Sequence, residues 1–400
     1  MSITKTTPNL INTLPKKLKP VAKFISINES EGNLAHIRFT QDTTVNLFPK
    51  MIFARSLADL TELSFLEISE SLLVYYGPKL LGENIFRKLY SKKLSKSVKE
   101  MISTPASKLL KENNPEKNSL LPVKAAIAIS ALAIPLTEYS LSYIKNLFTL
   151  NIFKQADFNN IANLNKDKKE TRGKQQKVEK SAKKHLKIAG SIFAGCLALS
   201  ALLVTKGKNS KALKSFSEII LAPGDKIFKN DAKKAAAFNK YFSLDFSDNN
   251  GKLGLSRGQL TACVLAGGAG YLGAAKDRGK QNFLEVLFRF PLVGFYVITG
   301  SELLEKGYKK ILKKNPEYKD IIGKDFEVPK LSELPEIAKK LAAKNKTSIE
   351  SEYQKLFKQK AKIVSVPFLF SLGFMGLFVA GMSRFFTQYR YNKEEKVNSK

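Results

Sequence analysis

The stretch that decides the fold is LTACVLAGGAGYLGAA (residues 260–275), then the charged elbow KDRGK (276–280), then FLEVLFRFPLVGFYVITG (283–300). In the first run Ala262, Ala266, Gly270 and Ala274 recur every four positions. A helix puts them on one face, where the missing side-chain bulk admits another backbone. In the second run Glu285 and Arg289 are four residues apart. On a helix they pair, with the acid on the favoured amino-terminal side. Asp277 and Arg278 lie in the elbow, so the expected product is a tightly packed helical hairpin with an ionic cluster of Asp277, Arg278, Glu285 and Arg289.

Three more apolar runs surround this pair. Residues 125–144 have about the length of a bilayer-spanning helix, bracketed by Lys124 and Lys145 but containing Pro135 and Glu138. They read as a kinked span or as a helix of a buried bundle. Residues 188–204 are uncharged, with Lys187 and Lys206 placed to snorkel to an interface. The run Ile363–Met382 carries no charge at all and is rich in Phe. The fold class expected is therefore all-α: an integral membrane helical bundle with about five hydrophobic helices, a soluble and mostly helical amino-terminal region, and basic helical connectors.

Residues 1–120 form that soluble region in this reading. A helix is predicted from Leu57 to Tyr76, interrupted by Glu62, Glu67 and Glu70 and ended by Pro78. The stretch His36–Val45 reads as a short strand or an irregular segment. A membrane region covers 121–306, its hydrophobic segments at 125–144, 188–204, 260–275 and 283–300 and its basic connectors at 151–187 and 205–258. A helix is expected over Lys233–Phe242. A basic amphipathic connector follows at 307–362, with one helix from Pro335 to Phe357. The last span is placed at 363–386 and a polar tail at 387–400.

The chain has a formal charge of +32, which suits an anionic membrane surface or nucleic acid. Lys far outnumbers Arg and Asn and Ile are common, as AT-rich coding sequence produces, so the charge is only a partial guide. No specific nucleic-acid partner is expected. Cys196 and Cys263 lie in apolar runs and read as small buried residues, and no structural zinc site is expected from them with His36 and His185. Asp245–Gly251 has the flavour of a calcium loop, but glycine falls at position seven and Ser256 at twelve, so a polar turn is preferred. The amino terminus lacks an apolar core for a cleavable signal peptide. All long connectors are Lys-rich, so the positive-inside rule does not orient the chain.

One competing motif sits inside the opening stretch. Gly268, Gly270 and Gly273 match GxGxxG and, with Val264–Gly267 before them, the run resembles the nucleotide loop of the extended short-chain dehydrogenases. That resemblance implies a parallel strand before the loop, a helix after it and a nicotinamide nucleotide bound there. The family's YxxxK signature has Tyr389–Lys393 as its match, in the tail. No cofactor is expected on the bottom-up reading.

The function expected is that of a structural or interaction protein of a membrane, multi-pass, with basic surfaces facing anionic lipid headgroups. A membrane-protein partner or a second copy of the chain is compatible with the small-residue stripe. The alternative is a transporter or channel using Glu285 and Arg289, since ionisable groups inside apolar runs mark functional sites in lipid. A third reading is a nucleotide-dependent oxidoreductase.

Overall fold

The computed structural model describes residues 7–29, 39–40, 42–112, 115–165, 170–246 and 255–398. It is all-helical, with no strand among the described residues. The helices used below begin with α1 (Lys19–Glu29), α2 (Leu57–Gly77), α3 (Lys117–Ser130), α4 (Ala133–Phe153), α5 (Arg172–Lys206) and α6 (Arg257–Arg278). They continue with α7 (Lys280–Phe295), α8 (Ser301–Lys313), α9 (Leu334–Asn345), α10 (Ile349–Ser371) and α11 (Ala380–Asn398).

Local chemistry explains the key boundaries. Ser56 starts α2 by accepting the Asp59 N–H at 3.0 Å. A capping box starts α6: Ser256 Oγ accepts the Gln259 N–H, and Gln259 Oε1 accepts the Ser256 N–H at 3.0 Å. Between α6 and α7 the chain turns at Gly279, whose φ of 125° a side chain would resist. The predicted hairpin with a charged elbow is thus present, as two helices joined by one glycine.

Several boundaries differ from expectation. The α-helix predicted from Leu57 closes at Gly77, immediately before Pro78, but the chain stays helical beyond it. The chain widens into a π-helical segment, Pro78–Arg87, and continues to Tyr90, because a longer turn accommodates the missing proline N–H. The 125–144 run is divided between α3 and α4, with Pro135 in the first turn of α4, where its missing donor costs nothing. The single helix expected over Pro335–Phe357 is two helices, α9 and α10, because Lys346 takes a left-handed conformation that closes α9. The expected polar tail is helical as far as Asn398. Of the segment His36–Val45, residues 36–38 and 41 lie outside the described residues, and 42–45 are helical rather than strand.

Among the described residues, four helices are long and apolar enough to cross a membrane: Lys117–Phe153, Arg172–Asn209, Lys280–Lys313 and Ile349–Val397. The Leu260–Ala275 run makes up most of α6 but is not among them. The four differ in surroundings. Protein buries 78% of the apolar window in the first but only 17% of that in the second.

The chain divides into two compact units. The first comprises Met1–Gln41 and Thr299–Gly376. Its core gathers Ile25 from α1, Tyr318 and Ile322, Leu334 from α9, and Tyr353 and Phe357 from α10. Lys360 is 2% exposed there, its charge met by Glu29 and by the Pro329 carbonyl.

The second unit comprises Asp42–Ile298 and Leu377–Lys400. Its main core is built around α3, with Leu120, Val123, Ile127 and Ile129 buried beside Leu109 and Leu221. Lys124 is buried in it and donates to the carbonyls of Ile102 and Thr104 at 3.0 and 2.9 Å while pairing with Asp245 at 2.9 Å. Asp245 also accepts the Ala106 N–H at 2.7 Å. Its carboxylate therefore ties two helices together, and residues 247–251 of the calcium-like loop lie outside the described residues.

Candidate functional site

Within the second unit, α2, α4, α6, α7 and α11 bring charged side chains into contact in two groups. The first group is balanced. Arg384 of α11 holds Asp59 of α2 through a fork, Nη1 to Oδ2 at 2.7 Å and Nη2 to Oδ1 at 2.9 Å. Its Nε lies 3.5 Å from Glu285 of α7, whose other oxygen accepts from Arg55 at 2.9 Å. Arg55 lies over the Phe158 ring at 5.6 Å and donates its backbone N–H to Asp59. Two carboxylates face two guanidinium groups, each carboxylate held at both oxygens. Such a lock is committed to the fold.

The second group is unbalanced. Glu62 of α2 takes Arg278 Nη1 at 2.7 Å, Lys145 Nζ at 3.4 Å and the Thr149 hydroxyl. Burial alone would raise the Glu62 pKa, but Arg278 and Lys145 overcome it and hold the carboxyl below its ordinary range. Arg289 adds a third positive charge within electrostatic reach of Lys145. Arg278 is wholly buried, and its Nε and Nη2 find no hydrogen-bond partner among the described residues.

The four residues expected to form one ionic cluster are therefore divided. Arg278 pairs across to Glu62, and Glu285 pairs with Arg55 and Arg384. Asp277 accepts from Ser181 of α5 at 2.5 Å. Arg289 makes no ion pair among the described residues and acts on Glu285 only at longer range. The i,i+4 pairing fails because closer cations from α11 and the residues before α2 reach Glu285 first. Sequence reasoning missed Arg55, Asp59, Lys145 and Arg384. Part of the signal was visible, since Glu62, Glu67 and Glu70 interrupt an otherwise apolar helix.

Farther along α2, an acidic group gathers. Glu67 pairs with Lys50, Glu70 accepts from the Tyr271 hydroxyl, and Asp42 accepts from Ser71 and Asn46. Glu138 of α4 lies close by, with its Oε2 unpartnered among the described residues. Burial, reinforced by the negative charge of Glu67, pushes Glu70 up to about 8, with Lys50 opposing and Asp42 adding to the rise. The folded state therefore keeps a proton that the unfolded chain, with a value of about 4.3, has lost. This contribution to stability is full below about pH 4.3 and disappears as pH rises through about 8. Melting curves from pH 5 to 9 should show wild type losing more stability toward high pH than Glu70→Gln. Parallel curves for the two proteins would refute this.

The packing face of α6 lies against α4. A Cβ on Gly270 would strike the Tyr139 carbonyl oxygen, and one on Gly267 would meet the Glu138 side chain. Asn146 donates to the Ala274 carbonyl at 3.1 Å. The face thus runs Gly267, Gly270, Ala274; of the expected stripe, Gly270 and Ala274 are buried while Ala262 and Ala266 are only half-buried. Gly268 points to Phe290 of α7 and Gly273 to the Tyr143 hydroxyl. All three glycines of the GxGxxG match lie inside a continuous helix, so their N–H groups follow helical bonding and do not form a loop opening toward a pyrophosphate. Tyr143 also stacks on His185, ring centroids 4.4 Å apart.

On α5, Lys180, Lys183, Lys184 and Lys187 are exposed and line a shallow groove with Ile188 and Ile192. The chain matches no known protein family, no curated protein and no solved structure.

Proposed function

We propose that the chain is a multi-pass integral membrane protein that serves a structural or interaction role, its basic faces set against anionic lipid headgroups. The observation that carries this is the exposure of α5. Its uncharged run, residues 188–204, is about 26 Å long at helical rise, close to the roughly 30 Å of a bilayer's hydrocarbon core. Protein covers only 17% of that window, and Ile192 and Leu202 are 50% and 47% exposed. An apolar surface of this extent needs a partner. The exposed lysines 180, 183, 184 and 187 adjoin the apolar run at its amino-terminal end, where headgroup phosphates would lie, and each near-surface lysine adds about 1 kcal/mol of attraction.

Alkaline carbonate extraction tests placement: the full-length chain should remain in the membrane pellet, and release into the supernatant would sink the proposal. Replacing the four α5 lysines with Gln should leave that retention intact while reducing the enrichment of anionic over neutral lipid in the purified protein.

The alternative, a transporter or channel working through Glu285 and Arg289, draws on the surplus positive charge around Arg289. Proteoliposome flux that is unchanged in Glu285→Gln and Arg289→Gln would leave those residues a packing role only.

A further inference from the structure

We propose that Arg278, with Lys145 on the same Glu62 carboxylate and Arg289 within electrostatic reach of Lys145, binds a phosphate-class oxyanion within the second unit. Three features carry this. The first is the hydrogen-bonding geometry of Arg278. A guanidinium group has five N–H donors in a fixed planar fork, and its Nε/Nη2 edge offers two parallel bonds to the oxygens of a phosphate or carboxylate. Glu62 takes Nη1 at the other end, and the Nε and Nη2 atoms are the two without a partner among the described residues, on a side chain with no solvent exposure. Buried donors of this kind are costly unless a partner meets them.

The second feature is charge. Among the described residues Glu62 is the one carboxylate in contact with Arg278 and Lys145, and Arg289 adds a further cation within electrostatic reach of Lys145. Asp277 is turned to Ser181, and Asp59 and Glu285 are already matched by Arg55 and Arg384. Among the described residues the contacts leave Arg278 and Lys145 one positive charge in excess of Glu62, and Arg289 adds to that field at longer range, where dielectric screening is weak. A dianion suits that surplus better than a monocarboxylate does.

The third is the neighbouring acceptor. Asn146 adjoins Lys145 in sequence and donates to the Ala274 carbonyl, one turn before Arg278, while its buried Oδ1 has no partner among the described residues. A protonated phosphate carries an O–H as well as acceptor oxygens, so it can serve both kinds of group.

The chemistry is shared by free phosphate and by a lipid headgroup, and the experiment separates them. Full-length protein in phosphatidylcholine nanodiscs is titrated with inorganic phosphate, followed by melting temperature and calorimetry. A parallel set of nanodiscs contains phosphatidylglycerol. A ligand that binds only the folded state raises its melting temperature, so a rise with phosphate identifies the free anion and a rise with phosphatidylglycerol alone identifies the headgroup.

Arg278→Lys keeps the charge and removes the fork, and should weaken binding about tenfold or more. Where that variant does not fold, Arg289→Gln decides, since its half-buried side chain makes no ion pair among the described residues; binding should weaken severalfold. The α5 variant with Gln at positions 180, 183, 184 and 187 should bind as wild type does.

No shift with either ligand would overturn the proposal. So would binding that is indifferent to both Arg variants, or lipid binding lost only in the α5 variant. Carbonate release would defeat the membrane reading and leave the phosphate titration standing.

Discussion

Arg384→Met is expected to destabilise the folded chain by about 3 to 5 kcal/mol, measured by denaturant unfolding in detergent micelles. Arg384 is 9% exposed and satisfies both oxygens of Asp59 while reaching Glu285 at 3.5 Å. Methionine fills much of the same volume but leaves Asp59 with the Arg55 backbone N–H and Glu285 with Arg55 and the Thr387 hydroxyl. A carboxylate stranded in a poorly screened interior is the costly outcome, rather than the loss of a favourable bond. The pair is thus expected to show strong coupling. Asp59→Asn removes the charge that Arg384 stranded, so the double variant Asp59→Asn with Arg384→Met should be more stable than the two single costs predict, by about 0.5 to 3 kcal/mol. A cost below about 1 kcal/mol for Arg384→Met, the size of an exposed ion pair, would show that water reaches the site.

The same residues show how far sequence carried the reading. The hairpin was legible because each of its parts is local: an apolar run, a glycine between charged residues, a second apolar run. The small-residue face was legible in part. A four-residue spacing picks out Gly270 and Ala274, yet helical geometry drifts, and the face that meets α4 takes Gly267 in place of Ala266. The partner of Glu285 was not legible. Periodicity compares residues within one helix, so it proposed Arg289; Arg55 and Arg384 come from segments that only tertiary packing brings near. The division of the chain was hidden for the same reason, since the first unit joins residues 1–41 to 299–376 through contacts that leave no local trace. Pro78 shows a local signal that held in part: the α-helix closes just before it, yet the chain stays helical. It does so because a wider turn absorbs the lost hydrogen bond.

The small-residue face yields the second large effect. Gly270→Val should destabilise the second unit by at least the 1 to 3 kcal/mol typical of overpacking, toward the upper end or beyond. The obstacle is the Tyr139 carbonyl with its carbon and Cα, which are backbone atoms and cannot rotate aside as a side chain would. The new side chain must push α6 away from α4. That movement would stretch the Asn146 bond to the Ala274 carbonyl and shift Arg278, at the end of the same helix, from Glu62 on α2. Gly190 on α5 is the control, because a Cβ there meets nothing within 4 Å. Gly190→Ala should be neutral or stabilising by up to about 1 kcal/mol, the ordinary gain from removing a helical glycine. Parallel melting of Gly270→Ala, Gly270→Val and Gly190→Ala therefore separates close approach from helix propensity. If Gly270→Ala melts with Gly190→Ala rather than below it, the two backbones do not meet at Gly270, and the proposed route by which packing positions Arg278 falls with it.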